Sequence, residues 1–263
     1  YFERKLPMKN ILSSKVENQL LGFLPNPKQL KTGRKRCQKK ALLQGIIVVL
    51  KYDIPWNDLD IPGASGTSCW RYFKELCRRG LFKLVCEAIA HENLNIKVCS
   101  IDSSVATSFN FKDLVGFNGK HKKYGTKISV LSDANGLPYD IEFGKGSIHD
   151  LTFVPKHMGN TAKIRKSLVN MDKGYTSIDL RRNLALKKIK VNMETRKNDY
   201  HHKRGPKFKL NQQIYKLRFN IEKTFGWLKA FKRVRTRKDR YSAFFKGFVY
   251  LSAIIVLIRN IEF

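Results

Sequence analysis

The sequence predicts an α/β protein, with a small all-helical segment over residues 1–92 followed by a mixed sheet with flanking helices over 93–263. Up to about residue 91, apolar side chains recur every three or four positions, the spacing of helices with one buried face. From about residue 97 the pattern changes to short apolar runs and strict alternation, which suits strands. Beyond that point the order reads strand, strand, strand, helix, strand, helix, strand, helix, the alternation of a layered α/β domain.

In the first segment, residues 41–52 form an apolar helix through Leu42, Leu43, Ile46, Ile47, Val49 and Leu50. Pro55-Trp56 breaks it and Pro62-Gly63-Ala64-Ser65-Gly66 turns the chain. Thr67 or Ser68 then caps a second helix that ends before Gly80, and a third covers 81–91. In the second segment, strands are predicted over 97–102 and 127–132, and Asp133-Ala134-Asn135-Gly136 turns the chain into the alternating run 139–143. A helix follows His149-Asp150, a strand ends at Asp172, a helix covers 177–188 and a strand 189–193. Residues 195–209 have no period and a Gly205-Pro206 breaker, so they read as an exposed loop. One long helical pattern covers 211–240. The apolar run 248–258 lies between Lys246 and Arg259 and is too short to span a bilayer, so a buried core helix is expected and no membrane partner.

Charge narrows the partners. The 263 residues carry 52 Lys and Arg against 21 Asp and Glu, a formal +31, yet 42% are hydrophobic, which excludes a disordered polycation. Residues 187–240 alone hold 19 Lys and Arg against 4 Asp and Glu. Such an excess favours a polyanion, and nucleic acid above membrane surfaces. On the second helix Arg71, Lys74 and Arg78 share a stripe about a quarter turn from Trp70, Phe73 and Cys77, which resembles the reading helix of a helix-turn-helix module. Any soluble amphipathic helix also has such a face. Lys203, Arg204, Lys207 and Lys209 concentrate charge in the loop and are candidate phosphate contacts. The 5 cysteines form no Cys-x-x-Cys pair, which fits buried thiols in a reducing, cytoplasmic and nucleoid-associated setting.

Against this background three acids stand out. Asp102 and Asp172 each end an apolar run, where α/β sheets carry their chemistry. Glu222 lies in the long helical pattern: Ile214, Leu217, Ile221, Phe225 and Leu228 form its apolar stripe, and Tyr215, Arg218, Glu222 and Lys229 a second stripe roughly 90° around. That spacing places Glu222 at the edge of the core, although an ordinary Arg218–Glu222 pair one helical turn apart has the same spacing. Two aspartates and a glutamate make an oxygen cage for magnesium or manganese, the donor set of two-metal phosphodiester chemistry.

The spacing Tyr215-x2-Arg218-x3-Glu222-x6-Lys229 resembles the Tyr-Arg-Glu-Lys signature of bacterial insertion-sequence transposases of the DDE type. Ile101-Asp102-Ser103, Lys127-Ile128, Gly146-Ser147-Ile148-His149-Asp150, Asp172-Lys173-Gly174-Tyr175 and Phe225-x-Trp227-Leu228-Lys229 agree with it in order, as do Gly33-Arg34-Lys35-Arg36 and Pro55-Trp56-Asn57-Asp58-Leu59 near the N-terminus. The resemblance covers nearly the whole chain. It implies a ribonuclease H-like catalytic domain over 93–263 and a DNA-binding domain over 1–92. It also implies two divalent metals held by Asp102, Asp172 and Glu222, DNA contacts from Tyr215, Arg218 and Lys229, and cleavage and joining of double-stranded DNA at terminal inverted repeats and target sites, with a homodimer pairing the two ends. A repeat-binding protein that no longer cuts and a nuclease of the same fold without strand transfer are the alternatives. Among the other acids, Asp133 reads as a turn residue, Asp140 and Glu142 as a solvated strand face, and Asp150 as a helix cap. His149 is a weaker candidate for the metal site.

Overall fold

The computed structural model describes residues 11–29, 32, 35–159, 164–194 and 210–262. They divide into two compact units, one running to Cys86 and resuming at Leu228, the other Glu87–Trp227. The expected division at 92/93 therefore differs from the packing, because residues from Leu228 onward join the N-terminal helices.

The helical unit contains α1 (Ser14–Phe23), α2 (Lys39–Tyr52), the short strands β1 (Asp60–Ile61) and β2 (Ala64–Ser65), α3 (Gly66–Arg78) and the first half of α4 (Leu81–Asn93). It closes with α9 (Lys232–Arg235), β9 (Thr236–Arg237) and α10 (Ser242–Asn260). Its core explains why the C-terminal stretch belongs here. α10 is apolar on nearly every face, so it needs burial all round, and Phe248 stacks on Phe73 of α3 with ring centroids 4.2 Å apart. Buried Arg233 of α9 bonds both Asp53, the αL cap of α2, at 2.8 Å and Asp239 at 3.0 Å. By length and composition α10 qualifies as a membrane span, and 72% of that stretch is buried within the protein. The helix is thus longer than the 248–258 run expected, and buried as expected.

The second unit is built on β3 (Val98–Ser108), β4 (Gly116–Asn118), β5 (Lys123–Asp133), β6 (Pro138–Lys145), β7 (Leu168–Met171) and β8 (Lys190–Met193), with helices α5 (Val154–Gly159), α6 (Ile178–Leu186), α7 (Gln212–Lys216) and α8 (Asn220–Lys229), the last ending as the chain leaves the unit. β6, β5 and β3 pair antiparallel, and β3, β7 and β8 pair parallel, so the order is β6–β5–β3–β7–β8, with β4 extending the β6 edge. This is the mixed, ribonuclease H-like sheet expected. The hairpin turn uses Gly136 at φ 88°, where the Cβ of any other residue would also strike the backbone of Asn220.

The helix expected over 211–240 is interrupted. Leu217–Phe219 forms a 3-10 turn between α7 and α8, and α8 ends before Phe231. Two tethers fix the start of α8 to the β5–β6 turn: Asn220 donates to the Ala134 carbonyl at 2.8 Å, and the Thr224 hydroxyl donates to the Gly136 carbonyl. A 3-10 turn advances 120° per residue, so its three residues rotate α8 by roughly 60° relative to a continuous α-helix.

Candidate active site

Sheet register creates the site. In the parallel pairing of β3 with β7, Ile101 lies opposite Met171, so the next residues, Asp102 and Asp172, leave the core side by side on strands about 4.8 Å apart. Both are half-buried. Asp102 accepts a hydrogen bond from the Ser103 backbone N–H at 2.8 Å. Burial pushes its carboxyl above the ordinary value; the Ser103 N–H and the Arg218 guanidinium pull it back, and the Asp150 and Asp172 carboxylates push it up again.

Asp150 is the site residue that sequence reasoning missed. His149 caps the turn instead, its Nδ1 accepting from the Leu151 N–H at 3.2 Å. Asp150 accepts from the Ser103 hydroxyl at 2.5 Å and pairs with Lys127 Nζ at 2.7 Å. Lys127 lies buried within β5 and also donates to the Ile148 carbonyl at 2.6 Å. A buried lysine in a strand requires acceptors beside it, and Asp150 and the Ile148 carbonyl supply them. Asp150 thus has its own counter-charge. Burial, and after it the neighbouring carboxylates, push the Tyr175 hydroxyl far up; Ser103 is close enough to pull it back slightly without a well-formed hydrogen bond.

Arg218 approaches from the helical side. It lies over the rings of Tyr215 and Phe219, with centroids 5.5 Å and 4.8 Å from its guanidinium carbon, and its Nε is buried with no partner among the described residues. An unpaired guanidinium donor beside Asp102 fits a phosphate oxygen. Tyr215 is buried and supports Arg218. An asparagine ladder, also missed, holds this helix in place. Asn170 and Asn192 face each other across β7 and β8, Asn192 donating to Asn170 at 2.9 Å and to the Asn211 carbonyl at 3.0 Å. Asn170 reaches the Ile214 carbonyl at 3.2 Å, and Asn211 caps α7. These bonds satisfy buried amides and the start of α7 together.

Glu222 departs from expectation. Arg218 lies within the 3-10 turn and Glu222 in the α-helix that follows, where it is exposed instead of standing at the core edge. Among the described residues no three His, Cys, Asp or Glu side chains converge as metal ligands. The structure sets Asp102 beside Asp172, links Asp150 to them through Ser103, and does not gather Glu222 into a ligand set with them. Asp102 and Asp172 still fit a hard divalent cation, being paired all-oxygen donors, one of them desolvated and raised by neighbouring negative charge that a cation would offset.

The other candidates lie elsewhere. Lys229 falls in the helical unit, where burial and Arg235 lower its pKa. On α3, Arg71 and Arg78 are exposed and Lys74 is half-buried, while Cys69, Tyr72, Phe73 and Leu76 pack inward. Lys203, Arg204, Lys207 and Lys209 lie outside the described residues. Asp133 is a turn acid, accepting from the Leu137 N–H at 2.7 Å. Asp140 is buried, not solvated, and bonds His157 at 2.6 Å. None of the five cysteines is in a disulfide.

The model of the transposase DDE domain family matches residues 94–258. Among solved structures, piggyBac transposase in a synaptic complex with hairpin DNA superposes with a TM-score of 0.55 at 12% identity, covering 93% of this chain and 70% of that one. The Mos1 mariner paired-end complex with manganese gives a TM-score of 0.27 at 13% identity, covering 90% and 83%, too distant to carry weight. No curated protein matches the sequence. The strand order, the piggyBac likeness in fold and a family match over more than half its length agree: the chain belongs to the family of transposase DDE domains.

Proposed function

We propose that this DNA transposase serves a bacterial insertion sequence, cleaving DNA at the element's terminal inverted repeats and joining it to a target, with Asp102, Asp172 and Glu222 as ligands of two magnesium or manganese ions. The observation that carries the reading is the register that sets Asp102 beside Asp172 at the ends of adjacent parallel strands. Divalent ions held by these carboxylates would supply activation of an attacking water or DNA 3′-hydroxyl and charge stabilisation of the leaving oxygen. The chain's own groups do the rest. Arg218, held over the rings of Tyr215 and Phe219, pairs with the phosphate being cut. Ser103, hydrogen-bonded to both Asp102 and Asp150, fixes the carboxylates' orientation. Lys127 pairs with Asp150 and fixes its position beside them. Glu222, exposed on α8 between the tethered Asn220 and Thr224, would be the third ligand of this reading.

Arg71, Lys74 and Arg78 would read the repeat ends, and Lys203, Arg204, Lys207, Lys209 and Lys229 would hold backbone phosphate. Two protomers would pair the two ends, as a homodimer. A gel assay with magnesium and DNA carrying the element's own ends tests the reading: cleavage with joining supports it, cleavage alone indicates a nuclease, and a shift alone a repeat-binding protein.

A further inference from the structure

A hairpin that combines exposed aromatic rings with lysines stands out along the same sheet. β4 and β5 form a hairpin whose register places Phe117 opposite Tyr124. Their rings meet edge to face, with centroids 5.4 Å apart at 65°, yet Phe117 is 48% exposed and Tyr124 43%. Phe109, just past the end of β3, is 64% exposed. Residues 109–124 hold four lysines and a histidine against one aspartate, and Lys120, His121, Lys122 and Lys123 crowd the hairpin tip.

The tip is held firmly. Buried Asn118 donates to the Gly146 carbonyl at 2.9 Å and accepts from the His121 N–H at 2.9 Å. At the base of the hairpin the Thr126 hydroxyl donates to the Leu114 carbonyl at 2.9 Å, and the Gly146 N–H to the Gly125 carbonyl at 2.9 Å. Lysines alone would guard an edge strand against pairing, but two half-exposed rings on that edge work against such a guard. Rings interleaved with lysines are instead the composition of a surface that stacks bases and holds the adjoining phosphates.

We propose that the β4–β5 hairpin is a stacking platform for unpaired nucleobases, with Phe117 and Tyr124 against the bases and Lys120, Lys122 and Lys123 on the flanking phosphates. The inference rests on the reading of the chain as a DNA transposase and adds where unpaired strand is held. Tyr124 is six residues along β5 from Val130, the register partner of Asp102, so the platform lies about 20 Å from the acids at about 3.4 Å per strand residue.

The test measures fluorescence anisotropy of the full chain in magnesium-free buffer, on a blunt duplex and on the same duplex with a single-stranded overhang. The wild type should prefer the overhang by about tenfold. Phe117→Ala with Tyr124→Ala should erase that preference and leave blunt-duplex affinity unchanged, Phe117→Trp with Tyr124→Trp should keep it, and Lys120→Ala with Lys122→Ala and Lys123→Ala should weaken both probes alike. A preference that survives the alanine pair, or a wild type that binds blunt duplex with no preference, overturns the platform while leaving the transposase reading intact. Failure of the wild type to bind either probe removes both.

Discussion

Asp102 and Asp172 come from the sheet, Glu222 from a helix, and the two sources differ in how tightly the fold fixes them. A parallel register has a period of two and admits no partial slip, so pairing Ile101 with Met171 commits both aspartates to one place. Helical phase is softer. A single 3-10 turn at Leu217–Phe219 rotates α8 by roughly 60°, and an acid with the correct linear spacing is left on the exposed side. Spacing motifs read on a helix are therefore reliable only as far as the helix is unbroken.

The largest expected effect separates these two classes. Asp102→Asn or Asp172→Asn should lower magnesium-dependent cleavage by at least about a thousandfold, because each removes a charged ligand while keeping its shape. Asp102→Asn should also raise the melting temperature of metal-free protein, since it deletes a desolvated carboxylate crowded by Asp150 and Asp172. Differential scanning fluorimetry checks that direction. Glu222→Gln should be nearly as severe for cleavage, yet change stability by no more than about 0.5 kcal/mol because the side chain is exposed. Cleavage at the parent rate would instead make Asp150 the better third acid, since it already lies beside Ser103 and Asp102.

Legibility in the sequence divides along the same line. The apolar runs before Asp102 and Asp172, the alternating hairpin and the buried final helix were readable because each depends on local pattern. Asp150 and Asp140 were not. Both are acids whose partners, Lys127 and His157, lie 23 and 17 residues away in sequence, so local pattern returned a cap and a solvated face. The grouping of α9 and α10 with the N-terminal helices was hidden for a similar reason, because the Arg233–Asp53 pair closes a separation of 180 residues.

Intermediate effects test what fixes the helical side. Gly136→Ala forces a side chain into positive φ and onto Asn220, so it should cost about 1–3 kcal/mol in urea unfolding and loosen α8 more than the sheet. Asn192→Ala unpairs Asn170 and the Asn211 carbonyl and should cost about 1–3 kcal/mol, with cleavage falling as Arg218 loses its anchor. The smallest effects on the fold belong to the basic surfaces. Replacing Arg71, Lys74 and Arg78 by Ala should weaken a footprint on the repeats without altering melting. Neutralising Lys203, Arg204, Lys207 and Lys209 should lower affinity for all sequences alike and flatten the salt dependence by about 0.9 per lost phosphate contact.

The central claim, that the neighbouring strand-end aspartates hold divalent metal, is tested most directly by titrating manganese into the protein and following the free-ion signal by electron paramagnetic resonance. The wild type should bind manganese, the Asp102→Asn, Asp172→Asn double variant should bind it at least about tenfold more weakly, and Asp133→Asn, a turn acid outside the site, should bind as the wild type does. Unchanged manganese affinity in the double variant would contradict the account.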